Sequence, residues 1–240
     1  MKDEYIEDLG NNVKVICSSD HAFGTDAILL ANFANPKKSD KVIDLGTGCG
    51  IIPLLFFRDG VKDITGIDIQ KKAIDQFSRS IPSDSEIKAY CLDLKEIGSN
   101  KEIKKGSYDV VTMNPPYKIA GTGILSEATP EQIARHEIAC TIKDVVKAAN
   151  ELLNFGGRLC LCNRPERLCD VIAEMRAGGI EPKSLRFVQK RPDTAPWLFL
   201  IEGKKGAKPF IQILPPLIIQ DESGNDSKEL VQILGKYREK

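Results

Sequence analysis

The sequence predicts an α/β fold built on a parallel sheet with helices on both faces. Three observations carry this. Strand-like and helix-like segments alternate along most of the 240 residues, the pattern expected of crossover units. Lys41–Leu45 has the composition of a buried strand. It runs straight into Gly46-Thr47-Gly48-Cys49-Gly50 and then into an apolar helix, Ile51–Phe57.

The elements follow in order. Val13–Cys17 reads as a short strand, and Thr25-Asp26 opens a helix over Ala27–Phe33, with a capping residue type before an apolar stretch. Pro36–Asp40 is a polar break before Lys41–Leu45. Ile64–Ile69 reads as the next strand, Lys71–Ser80 as a helix, Ile87–Leu94 as a third strand and Tyr108–Met113 as a fourth. Asn114-Pro115-Pro116-Tyr117 ends that strand, because two prolines cannot continue the hydrogen-bond ladder. Residues 118–130, with Gly121, Gly123 and Pro130, read as a flexible loop. Glu131–Leu153 is helical in character, Phe155-Gly156-Gly157 a turn, Arg158–Cys162 a fifth strand and Pro165–Ala177 a helix. Ser184–Gln189 and Trp197–Glu202 read as a closing pair of strands, and Phe210–Ile219 as a last one broken by Pro215-Pro216. The expected organisation is one domain: an extension over 1–40 with a strand and a helix, a core over 41–205 and a tail over 206–240.

Composition excludes several classes. Apolar residues make up 42% and charged residues 28%, a globular balance rather than a disordered or fibrous one. The Met1–Asp8 start is no signal peptide, and no stretch reaches the length of a membrane span. Seven scattered cysteines, with Cys160 and Cys162 as a lone C-x-C, predict no zinc site and reduced thiols in the cytoplasm.

The glycine loop carries the first chemistry. Glycines after a strand permit a tight turn and close backbone approach to a ligand. A dinucleotide loop needs G-x-G-x-x-G; here the third glycine, Gly50, comes one position early. The spacing Asp44-Leu45-Gly46-Thr47-Gly48-Cys49-Gly50 resembles motif I of the class I S-adenosylmethionine methyltransferases. Asp68 ends the next strand 24 residues after Asp44, where a carboxylate suits two ribose hydroxyls.

Asn114-Pro115-Pro116-Tyr117 carries the second. It looks like motif IV of the amino-group methyltransferases. An aryl amine is a poor nucleophile because its lone pair is delocalised. The Asn114 side-chain oxygen and the Pro115 carbonyl can accept both amine hydrogens and favour a pyramidal nitrogen. Proline's fixed φ holds that carbonyl in place, and Tyr117 offers a ring for stacking.

Phe23–Leu30, Asn114–Tyr117, Ala128–Gln132 with Ala134-Arg135-His136, and the tail from Lys208-Pro209 to Leu214-Pro215-Pro216-Leu217 together resemble the bacterial tRNA1(Val) (adenine(37)-N6)-methyltransferase family. The resemblance implies a Rossmann-like class I fold with a seven-stranded, mostly parallel sheet and an antiparallel last strand. It implies S-adenosylmethionine as cofactor, S-adenosylhomocysteine as product and tRNA as substrate, with no metal. For cofactor binding it implies Thr25, Asp26, Asp44, Gly46, Gly48, Gly50, Asp68, Ile69, Asp93, Leu94 and Asn114, and for catalysis Asn114, Pro115, Pro116 and Tyr117. Guanine-N2 methylation of ribosomal RNA, glutamine-N5 methylation of protein, and cofactor binding without turnover are the alternatives.

Charge is balanced at 34 basic against 34 acidic residues, but residues 158–208 hold 11 Lys/Arg against 6 Asp/Glu. Arg164, Arg167, Arg186, Lys190, Arg191, Lys204 and Lys205 are therefore the candidates for phosphate contacts. Trp197 reads as core or as a stacking residue, and His21 as a surface or capping residue.

Overall fold

A computed structural model describes residues 4–115 and 140–235. Among the described residues the main sheet holds nine strands, in the order β5 (Lys88–Cys91), β4 (Ile64–Asp68), β3 (Val42–Leu45), β6 (Tyr108–Met113), β7 (Leu153–Asn163), β9 (Pro196–Lys205), β8 (Ile180–Gln189) and β10 (Gln212–Ile213), with β11 (Leu217–Ile218) also pairing to β8. Its central strands are β3, β4, β5, β6 and β7. These five pair in parallel. The order reverses between β3 and β6, the switch point at which open α/β sheets bind ligands beyond their carboxyl ends. β8 (Ile180–Gln189) and β9 (Pro196–Lys205) close the sheet, and β9 alone runs antiparallel, between β7 and β8.

The expected seven strands are thus present, and the count is corrected to nine. The Phe210–Ile219 segment makes two short parallel strands on the outer edge of β8, β10 (Gln212–Ile213) and β11 (Leu217–Ile218). Pro215 and Pro216 separate them because neither can donate a ladder hydrogen bond.

Period-two alternation sorts the strand residues into two cores. Val42, Val110, Cys160 and Leu200 face one, with α1 (Thr25–Ala34), α2 (Ile51–Arg58) and α3 (Lys71–Ser80). Their neighbours Ile43, Val111, Leu161 and Ile201 face the other, with α4 (Ile142–Leu152) and α5 (Leu168–Ala177). Both faces are covered, so the central strands carry apolar residues on each.

Several boundaries differ from the sequence reading. The N-terminal strand is a hairpin, β1 (Glu4–Asp8) with β2 (Lys14–Ser18). It docks on α3 through Arg79, which pairs with Glu4 at 2.7 Å, and through the Ser80 hydroxyl, which accepts from Ile16 N. Phe155-Gly156-Gly157 is no turn; it lies inside β7, where the register against β6 shifts between Tyr108 and Val110. The Ile87–Leu94 strand stops at Cys91, and Asp93 caps a 3-10 helix over Leu94–Ser99. Pro165–Arg167 is a 3-10 turn ahead of α5. The Glu131–Leu153 helix begins, among the described residues, at Ile142. Thr141 caps it, accepting from Asp144 N while Asp144 accepts from Thr141 N. A last helix, α6 (Lys228–Gly235), packs on the face that holds α1. Pro116, Tyr117, loop 118–130 and His136 lie outside the described residues.

Candidate active site

The site is built at the carboxyl ends of β3, β4, β5, β6 and β7. In the glycine loop, Gly46, Gly48 and Gly50 all take left-handed φ, at 64°, 56° and 85°. Their surroundings separate their roles. A Cβ at Gly50 would run into the Phe77 ring of α3, so this glycine lets the loop pack on the helix. A Cβ at Gly46 would sit 3.3 Å from Met113 Cε, at the next strand tip. A Cβ at Gly48 would meet nothing within 4 Å. Gly48 is therefore the position where backbone faces open space and a ligand can approach it closely.

Asp68 stands beside that opening, only 6% exposed. Its Oδ2 accepts from Gly48 N at 2.9 Å and its Oδ1 from Gln70 N at 2.8 Å. Those bonds fix the carboxylate, yet each oxygen keeps capacity for another donor. Two ribose hydroxyls are such donors, so this loop fits S-adenosylmethionine. Next to it Ile69 is 57% exposed, an apolar surface available to an adenine ring. Asp93 spends Oδ1 on capping Lys95 N at 2.9 Å, and Leu94 follows it, partly buried.

Asp44 sits deeper, at 2% exposure. Thr112 Oγ1 on β6 donates to its Oδ1 at 2.6 Å. Burial disfavours the charged form and, against the Thr112 hydrogen bond, pushes the carboxyl up to about 7. Asp44 thus ties β3 to β6 from inside the sheet.

Thr25 is the first helical residue of α1 and Gly24 its cap, with no side chain capping the helix. Asp26 accepts from Ala27 N at 3.0 Å. Thr25 at the start of the helix is exposed, and a helix N-terminus suits a carboxylate. His21 closes a surface turn with Ser18 through its backbone.

Asn114 and Pro115, the expected acceptor residues, sit across the switch point. Leu45 pairs with Met113 in the β3–β6 register, so Gly46 and Asn114 leave adjacent strand tips, about 5 Å apart at the strand spacing. Asn114 Oδ1 accepts from the Cys162 thiol at 3.3 Å. Pro115 is buried beside it. Cys162 was legible in the sequence only as an apolar strand residue; its contact with Asn114 depends on the β6–β7 register.

The basic candidates divide. Lys205 Nζ donates to the Leu153 carbonyl at 2.8 Å, and Arg186 pairs with Glu229 at 2.7 Å; both hold the fold together. Arg167 pairs with Asp170. Lys204 lies at the far end of β9, near Gly156. Arg164, Lys190 and Arg191 lie at the site end of the sheet, just past β7 and β8. Among the described residues no group of three His, Cys, Asp or Glu could hold a metal, and no helix is long and apolar enough to cross a membrane.

The comparisons agree with this geometry. A tRNA1(Val) (adenine(37)-N6)-methyltransferase of Parabacteroides distasonis is 29% identical over 182 residues, 75% of each chain. One from Histophilus somni is 32% identical over 143 residues, 58% of each chain. Among solved structures, a predicted O-methyltransferase of Agrobacterium tumefaciens superposes with TM-score 0.68 at 19% identity, over 88% of this chain and 96% of that one. Geranyl diphosphate C-methyltransferase of Streptomyces coelicolor, solved with S-adenosylhomocysteine, reaches 0.55 at 12% identity, over 75% and 77%. The model of the methyltransferase small domain matches residues 9–175. This chain belongs to the methyltransferase small-domain family and is an S-adenosylmethionine-dependent methyltransferase.

Proposed function

We propose that this protein methylates the exocyclic N6 of adenine in tRNA in the cytoplasm, at the anticodon-loop position 37 that its relatives' names give. The observation that carries the reading is the Leu45–Met113 register, which sets the glycine loop beside Asn114. The relatives' names supply the substrate. Thr25 and Asp26 at the start of α1 receive the methionine end of the cofactor, Asp68 its ribose, and Ile69, Asp93 and Leu94 its adenine.

Bound, S-adenosylmethionine supplies an electrophilic methyl on a sulfonium. The chain's own residues supply position. The Asn114 side-chain oxygen, which also receives the Cys162 thiol, accepts one amine hydrogen. The Pro115 carbonyl accepts the second. Holding both hydrogens turns the nitrogen lone pair out of conjugation and toward the methyl, and most of the rate comes from that orientation. The displaced proton needs no shifted base, because the methylated nitrogen is strongly acidic. Pro116 and Tyr117 belong to the catalytic set in this reading, with the Tyr117 ring offered to stack the base.

The test uses labelled S-adenosylmethionine with unmodified tRNA, ribosomal RNA and release factor in parallel, followed by nucleoside analysis. N6-methyladenosine in tRNA is expected. Asn114→Ala should lower kcat by roughly 10²–10³, a far larger loss than any in cofactor affinity. Label confined to ribosomal RNA or protein would replace the substrate, and near-normal turnover by the variant would refute the acceptor assignment.

A further inference from the structure

We infer that Arg164 and Trp197 form a stacking platform for an RNA nucleotide next to the target adenine, with Lys190 and Arg191 placed to meet its phosphates. This rests on the RNA reading above and gives it a second contact region.

The strand register puts the pair beside the acceptor. Cys162, which touches Asn114, lies two residues before Arg164 on the same strand tip. β9 enters the sheet from that end, because Asn163 pairs with Phe199 two residues after Trp197. The row from Asn114 therefore runs through Cys162 to Arg164 and Trp197. It continues to the β8–β9 turn, where Gln189 pairs with Pro196.

The platform is fixed before any ligand arrives. The Arg164 guanidinium carbon lies 5.6 Å from the Trp197 ring centroid. Its NH1 donates to the Trp197 carbonyl at 2.9 Å, and its backbone N–H to Asn163 Oδ1 at 2.8 Å. Trp197 in turn packs on the core. Both side chains are half-buried. A planar, delocalised guanidinium stacks a base as well as it stacks an indole, and a side chain already held loses little entropy in doing so. The adjoining turn is equally defined. The Gln189 side chain donates to the Thr194 carbonyl, and Arg191 N donates to the Thr194 hydroxyl. Lys190 and Arg191 are left exposed at its tip, Arg191 beside Asp193 at 3.2 Å. A cation–π clip that served the fold alone would not need two exposed cations next to it at the edge where the acceptor opens.

Trp197 is the single tryptophan of the chain, so its fluorescence reports directly on the platform. Adding an unmodified anticodon stem-loop RNA to the full chain should quench it. Arg164→Ala and Arg164→Lys should each lower stem-loop affinity and kcat/KM for RNA about tenfold, because lysine keeps the charge but not the plane. KM for S-adenosylmethionine should stay at the wild-type value, and Tm should fall by no more than a few degrees, with no correlation to the loss of RNA affinity. The slope of log affinity against log salt should be unchanged in both Arg164 variants and shallower by about one for each of Lys190→Ala and Arg191→Ala.

Wild-type behaviour of Arg164→Lys together with a shallower salt slope in Arg164→Ala would make Arg164 a point-charge contact and overturn the platform. A fall in Tm or in cofactor affinity that tracks the loss of RNA binding would reduce the pair to a structural clip. Methylation of tRNA by wild type with both Arg164 variants unimpaired would sink the platform and leave the function standing. A wild type that neither binds the stem-loop nor methylates tRNA would remove both.

Discussion

The two halves of the carboxyl edge are built by different means. On the β3–β4–β5 side the backbone makes the site. Three glycines take left-handed φ, Thr47 N donates to the Ile67 carbonyl, and Gly48 N and Gln70 N hold the Asp68 carboxylate. On the β6–β7–β9 side, where the acceptor is proposed to bind, side-chain contacts set the arrangement. Asn114 meets Cys162, and Arg164 lies over Trp197. A cofactor that never changes can be met by a backbone cradle, whereas an acceptor is recognised by groups that one substitution alters. Damage on the first side should therefore appear as lost stability or cofactor binding, and on the second as lost turnover or RNA affinity.

The sharpest break lies within the glycine loop. Gly50→Ala sets a Cβ into the Phe77 ring at φ 85°, and overpacking together with left-handed strain should cost about 2–5 kcal/mol. A thermal melt should show Tm lower by roughly 10 °C. Gly48→Ala meets no neighbour and should cost only about 1 kcal/mol, yet calorimetry should show cofactor affinity down by at least about tenfold, since the added methyl fills the approach to the backbone. Equal melts for the two variants would contradict their separate roles.

Asp44 joins the halves through Thr112, and it ranks next. Its carboxyl stands at about 7 in the folded chain against an ordinary 3.8. The folded state therefore binds more protons than the unfolded one between those values, and stability falls as pH rises through that window. The fall is at most about 4 kcal/mol. Asp44→Asn, neutral at every pH and still able to accept from Thr112, should flatten denaturant-measured stability between pH 4 and 7. An unchanged slope would place the titration elsewhere.

The smallest effect belongs to the helix that carries the chain back after the acceptor turn. Thr141→Ala removes the cap of α4 and should cost about 1 kcal/mol in chemical denaturation. Cofactor affinity should be untouched, and a change in it would mean that α4 reaches across to the other half.

Legibility followed the same division. Lys71–Ser80 and Tyr108–Met113 coincide with the sequence reading, because apolar pattern and proline punctuation are local signals. The placement of the glycine loop and Asp68 at neighbouring strand ends was also legible, since glycines and strand ends are local signals. β1 was missed because Glu4–Asp8 is exposed along its whole length and carries no alternating pattern. α6 was missed although its signal is present: Ser227 accepts from Leu230 N as a cap. Gly156 and Gly157 read as a turn because glycine marks turns and bulged strands alike. The contacts Cys162–Asn114 and Arg164–Trp197 span 48 and 33 residues and follow from register, which no local pattern reports.

The tail after β9 covers a sheet edge that would otherwise stand open. β8 is ten residues long, and β9 covers only one of its sides. Bare, the other side would offer a run of unpaired N–H and C=O groups, the template on which edge-to-edge aggregation starts. Residues 212–213 and 217–218 pair with it in two short stretches, separated by prolines that cannot propagate a ladder. The new outer rim is too short and too interrupted to recruit another strand. At the opposite rim β5 is only four residues long and begins at the exposed Lys88, so the sheet ends on both sides in strands poorly suited to stacking.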